Sequence, residues 1–258
     1  MQKLVGLALL LAAAACLPAA TISGQFTLDG TVIVTNGGLI EWVSNTDVGS
    51  EANISASGTL TGSFVGLGGQ SVTINTLTDG PNPATQQPVN TPFTNYNFID
   101  FTSQSTFPEL LANFLPLGSA GGADCSTNVA LAAADQTCTL TGVTTPPIPG
   151  GSPFTFLNTA TSINQHTTCC TSSATWNISG VTSDGLSAWN GQFTATFATP
   201  YQTVLADFVN NGEVSDAYSG VMVVTVSSIQ NVPEPTTWAF MGTGLVLLWV
   251  GSRRRKKA

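Results

Sequence analysis

Between residues 4 and 252 the 258-residue chain contains neither lysine nor arginine. Its six basic residues are Lys3 at one end and Arg253, Arg254, Arg255, Lys256 and Lys257 at the other, against 14 Asp and Glu and a formal net charge of −8. A nucleic-acid binder displaces counterions from phosphates with Lys and Arg, so nucleic acid is excluded as a partner of the body. A P-loop, a Schiff-base lysine and an arginine phosphoryl clamp are excluded with it. The chain has one histidine, His166, so a two-His zinc motif cannot be built. No serine stands in a G-x-S-x-G context, and a Ser–Lys dyad lacks its base. No cofactor is expected.

What charge there is marks the two ends. Residues 1–20 (MQKLVGLALLLAAAACLPAA) place Lys3 before the apolar run Leu4–Ala15 and small residues at Ala19 and Ala20. This is the layout of a secretory signal peptide, and the run is too short to span a bilayer. Sec-type export machinery and signal peptidase are the expected partners. Cleavage is expected after Ala20, with lipidation at Cys16 as the alternative.

At the other end, residues 232–258 comprise Val232-Pro233-Glu234-Pro235, the apolar run 236–251 and the basic residues 253–257. Sixteen residues of helix span about 24 Å, a little short of a hydrocarbon core of about 30 Å. Trp238 and Trp249 stand near the ends of the run, where indoles favour the interface, and the basic end is expected to stay cytoplasmic. Pro233 and Pro235 keep the stalk out of regular helix and sheet. The three parts, in this order, resemble the PEP-CTERM sorting signal of Gram-negative bacteria. That resemblance implies an exosortase-like membrane transpeptidase as partner, recognition at Pro233, Glu234 and Pro235, and delivery of the body to the cell surface or matrix. It also implies association with exopolysaccharide or biofilm. The same tail is also catalogued as an ice-binding-protein C-terminus.

The body, residues 21–231, reads as β throughout. Ile22, Phe26 and Leu28 alternate with polar residues, and Asp29-Gly30 predicts a hairpin turn. Asn36-Gly37-Gly38 predicts a second turn into Leu39–Val43. Ala52, Ile54, Ala56 and Leu60 share one parity, as do Val72 with Ile74, and Ala174, Trp176 and Ile178. Trp189, Phe193, Ala195 and Phe197 form an apolar face, and Asn211-Gly212 predicts a hairpin into a last strand around 218–228. Only Pro108–Phe114 predicts a helix, with Pro108 at its first position. Gly80–Pro92 and Gly142–Pro153 are Pro-rich loops. The expected fold is all-β, an antiparallel β-sandwich-like domain carrying a signal peptide and one C-terminal transmembrane helix.

Four body cysteines, Cys125, Cys138, Cys169 and Cys170, are disulfide candidates in an exported chain. Adjacent cysteines hold an awkward geometry, so Cys125 and Cys138 are each expected to pair with one of Cys169 and Cys170. A local Cys125–Cys138 loop is the rival. His166, in a polar stretch, is expected to be a solvent-exposed loop residue, and its spacing to Cys169 and Cys170 fits no zinc knuckle. Paired carboxylates are the one catalytic route left, a glycosidase, but Asp29, Asp79 and Asp184 each precede a glycine and read as turn residues. Asp207–Glu213 departs from a calcium loop at Val209 and Tyr218. Trp42, Trp176 and Trp189 are expected in the core. Thr194 and Thr196 are one short hydroxyl row. No catalytic or metal residue is assigned.

The sequence thus points to a non-enzymatic, exported surface or matrix protein. A glycan-binding module, an ice-binding module and a carboxylate-dependent glycosidase are the alternatives. The precursor is expected at the inner membrane with its body periplasmic, and the mature form at the cell surface or outside the cell.

Overall fold

In a computed structural model the described residues are 21–35, 38–43, 51–78, 87–122, 125–140, 151–163 and 166–227. Ile22–Ser227 form one compact unit; of the second, Met1–Thr21 with Ser228–Ala258, only Thr21 is described. The signal segment and the sorting tail therefore lie outside the described residues, as do Asn36, Gly37, Asp79 and most of both Pro-rich loops.

The strands, in chain order, are β1 (Gly24–Thr35), β2 (Leu39–Val43), β3 (Glu51–Ile54), β4 (Ser71–Ile74), β5 (Leu77–Thr78), β6 (Tyr96–Asp100) and β7 (Leu110–Phe114). They continue as β8 (Thr137–Cys138), β9 (Thr155–Ile163), β10 (His166–Thr182), β11 (Ser187–Phe197) and β12 (Glu213–Val226), with α1 (Tyr201–Asn211) before the last strand. β11, β12, β1, β3, β4, β6, β7 and β10 follow one another as antiparallel neighbours, and β10 pairs back onto β11. Eight strands thus close into a barrel, which leaves no free edge within the ring. The expectation of an all-β antiparallel body holds. The sandwich is corrected to a barrel, because β10 joins the two halves that a sandwich would keep apart.

The barrel interior explains why these residues alternate. Rows across β10, β11, β12 and β1 read Trp176, Phe193, Gly220, Leu28, then Ile178, Gly191, Met222, Phe26, then Gly180, Trp189, Val224, Gly24. Large and small side chains alternate so that the narrow interior is filled without collision. Phe98 stacks on Trp189 with centroids 5.7 Å apart, and Trp176 stacks on Phe193 at 5.5 Å. The opposite parity carries Asn177, Gln192 and Val221 in one row and Asn190 and Val223 in the next, all exposed. The outer wall thus mixes exposed amides with exposed valines over an apolar inside.

One end of the barrel is flared. β1 pairs with β3 at Leu28 and Asp29, then with β2 from Thr31 to Thr35. β10 pairs with β7 from Ser179 to Thr182, but with β9 from His166 to Thr175. Both exchanges occur toward the same end, where α1 packs. Pro200 gives that helix no side-chain cap. Instead the Tyr201 N–H donates to Asn158 Oδ1 of β9 at 2.9 Å, and Asn158 Nδ2 donates to Gln202 Oε1 at 3.0 Å and to the Ala133 carbonyl at 3.1 Å. A buried amide from another element thus satisfies the orphan donor of the helix start.

Four local expectations are corrected. Asp29-Gly30 lies inside β1; a Cβ at residue 30 would meet the Tyr218 ring at 3.0 Å, so this glycine makes room and does not turn the chain. Pro108–Phe114 contains strand β7, whose Leu110 and Ala112 are fully buried between β6 and β10. Asn211-Gly212 ends α1: Gly212 is left-handed (φ 80°) and its N–H donates to the Phe208 carbonyl at 3.0 Å. β3 ends at Ile54, before Ala56 and Leu60. The turn at Gly38 into β2 and the turn at Asp184-Gly185 are as expected; Asp184 Oδ1 accepts from the Leu186 N–H at 2.9 Å.

Candidate functional site

Pro233, Glu234 and Pro235 lie outside the described residues; β12 ends at Val226 and the Ser227 N–H donates to the Leu186 carbonyl at 3.0 Å. The cysteines pair as Cys125–Cys138 and Cys169–Cys170. The expected cross-pairing is corrected, and the local Cys125–Cys138 loop is the arrangement found. Register gives the reason. Cys138 stands opposite Phe156, while Cys169 and Cys170 occupy the irregularity between Thr168 and Thr171, opposite the stretch between Thr161 and Thr159. At roughly 3.3 Å per residue these sites are about 10 Å or more apart along β9, beyond the reach of a disulfide.

His166 is the first residue of β10, across from Ile163, and so belongs to a strand and not to a loop; its exposure lies outside the described residues. Trp42, Trp176 and Trp189 are all at most 2% exposed, as expected of core residues. That closes the route in which these indoles stack on sugar rings. Asp207–Asn211 belong to α1, so the segment is helix where a hairpin turn was expected, and it forms no calcium loop. Among the described residues no three His, Cys, Asp or Glu side chains converge as a metal site. Thr194 and Thr196 pair with Thr175 and Ser173 of β10, which makes a hydroxyl patch two residues deep.

The sequence reading missed a cavity at the flared end. The facing inner residues there, Ala174 and Ala195, are small. Val204 and Leu205 of α1 stand across from them. Between them lies an apolar cavity of about 70 Å³. Phe154, Phe156 and Trp176 supply aromatic wall, the first ring meeting the third edge-on at 5.2 Å. Among the described residues one ionisable group lines it, Asp216. This residue takes the inward parity of β12, between Val214 and Tyr218 and across from Val32. Its Oδ1 accepts from the Ala217 N–H at 2.7 Å. The signal for it was present in the sequence: an acid interrupts an otherwise apolar parity that runs through Val214, Tyr218, Met222 and Val224.

Comparison with known families adds one match. Residues 231–256 fit the PEP-CTERM protein-sorting motif. The chain carries this motif. The PEP-CTERM match covers the tail alone, and the barrel matches no family. No curated protein matches the chain. No solved structure matches it. A PEP-CTERM tail implies export sorting to the cell surface by an exosortase-type processing system.

Proposed function

We propose that the barrel is a non-catalytic building block of the extracellular matrix, released from a PEP-CTERM precursor and held in place by exopolysaccharide. The PEP-CTERM match at 231–256, following a folded exported-type body, carries this reading. In the precursor, residues 236–251 hold the body at the inner membrane, with the basic residues 253–257 cytoplasmic and the barrel periplasmic. The exosortase-like enzyme reads Pro233, Glu234 and Pro235 and severs the chain there.

The outer wall supports the polysaccharide assignment. Asn177, Gln192 and Asn190 expose amides on β10 and β11, and beyond Val221 and Val223 of β12 the half-buried Thr27 and Gln25 end the same rows on β1. Amides and hydroxyls exchange hydrogen bonds with polyols, and a wall without cations does not compete for anionic lipids or nucleic acid. Most inner residues, by contrast, are committed to packing, which favours a structural role over a catalytic one.

The test is intact mass and fractionation of natively expressed protein beside the Pro233→Ala, Glu234→Ala, Pro235→Ala triple variant. Wild type is expected to lose the tail near residue 235 and to leave the cell, while the variant stays in the inner membrane. Retention of residues 253–257 by both in the membrane would mean a plain anchor and would remove both the exosortase and the matrix assignments.

A further inference from the structure

We infer that the flared end of the barrel is a binding site for a small organic cation, a short alkylammonium ion whose charged head lies against Asp216. The site is a pocket of about 70 Å³, open on one side. It arises from the fold itself. The exchange of partners by β1 and β10 spreads the wall, and Ala174 facing Ala195 leaves the space empty beneath α1.

The chemistry of the wall selects the ligand. Apolar side chains favour a hydrocarbon, and about four carbons suit a cavity roughly half the size of one that holds benzene. Asp216 selects the head. Its carboxylate is half-buried beside apolar side chains, where a cation or hydrogen-bond donors hold it favourably. The chain cannot supply a lysine or arginine partner, because none exists between residues 4 and 252. Among the described residues the donor that reaches Asp216 is the neighbouring Ala217 N–H, at 2.7 Å, which leaves acceptor capacity on the carboxylate. A cation from solution is the charged partner left open to it. Phe154, Phe156 and Trp176 add faces and edges against which an ammonium-bearing ligand packs favourably. A carboxylate ligand would be repelled, and a neutral alcohol would lack the charge-assisted bond.

Isothermal titration of the full chain with n-butylammonium chloride, n-butanol and sodium butyrate tests this, with Asp216→Asn and Ala195→Val variants alongside. Saturable butylammonium binding is expected, about tenfold or more tighter than butanol, with butyrate not binding. Asp216→Asn is expected to bring butylammonium down to the butanol level, and Ala195→Val to weaken both by filling the cavity. The inference is overturned if butylammonium and butanol bind alike, if no probe binds, or if a folded Asp216→Asn protein binds butylammonium as wild type does. Should either variant fail to fold, the three-probe series on wild type decides alone. The outcome is independent of tail processing, because every residue that lines the cavity lies between Val32 and Asp216.

Discussion

Gly220→Ala isolates the large–small alternation that fills the barrel. The φ of Gly220 is not left-handed, so alanine meets no backbone penalty there. Its Cβ, however, would stand 2.7 Å from Cδ1 and 2.8 Å from Cε1 of Phe193. That ring has nowhere to go. It stacks on Trp176 at 5.5 Å and meets Tyr218 at 5.8 Å, Trp42 at 5.9 Å and Phe98 at 6.1 Å. Forcing extra volume into such a site costs about 1–3 kcal/mol. Alanine recovers about 0.4–1 kcal/mol by restricting the unfolded chain. The net loss is about 1–2 kcal/mol, or a Tm lower by about 2–8 °C for a domain of this size. Urea unfolding followed by tryptophan fluorescence measures it, and near-UV circular dichroism reports the disturbed Trp176–Phe193 stack. The decisive arm is Phe193→Leu combined with Gly220→Ala. Leucine vacates the positions the new methyl needs, so the double variant is expected to be more stable than the sum of the singles by about 1 kcal/mol. A neutral Gly220→Ala, or singles that add within about 0.4 kcal/mol, would refute the claim that Gly220 exists to admit the Phe193 ring.

Asn158→Leu keeps the volume of the fully buried amide but strips the donor from Gln202 Oε1 and the Ala133 carbonyl and the acceptor from the Tyr201 N–H; a loss of about 3–5 kcal/mol is expected, with α1 amides exchanging fastest in hydrogen exchange. Trypsin is expected to leave the body uncut, since no Lys or Arg lies between residues 4 and 252, and peptides made with other proteases should link Cys125 to Cys138 and never to Cys169 or Cys170. Replacing both Cys125 and Cys138 by serine opens a loop with a sequence separation of 13 and is expected to cost about 3 kcal/mol in chemical denaturation. Burial, and then the charge of Asp29, pushes the Tyr218 hydroxyl well above its ordinary pKa of 10.0, and the hydroxyl has no hydrogen-bond partner among the described residues. The unfolded tyrosine loses its proton first, so stability is full below about pH 10 and falls above it by about 1.4 kcal/mol per pH unit. Tyr218→Phe should flatten that alkaline fall without loss of stability at pH 7, and an unchanged pH profile would count against the assignment.

The sequence determined what single residues and short periods can determine. The missing body cations excluded whole classes of chemistry without reference to any coordinate. The order of Pro233-Glu234-Pro235, apolar run and basic end is linear information, and linear comparison was enough to read it. Period-two alternation placed the buried tryptophans, because a strand has one inner and one outer parity whatever it pairs with. Tertiary structure decided everything that depends on which strands meet. Gly30 and Gly220 look like turn or flexible residues in the chain, and only the Tyr218 and Phe193 rings opposite them reveal a need for space. The helix Tyr201–Asn211 begins without a local cap and relies on Asn158, 43 residues earlier. Disulfide choice followed from register along β9, which no count of cysteines contains. The cavity arose where two long strands change partners and two alanines come to face each other, so that an acid on an apolar parity became the wall of a pocket.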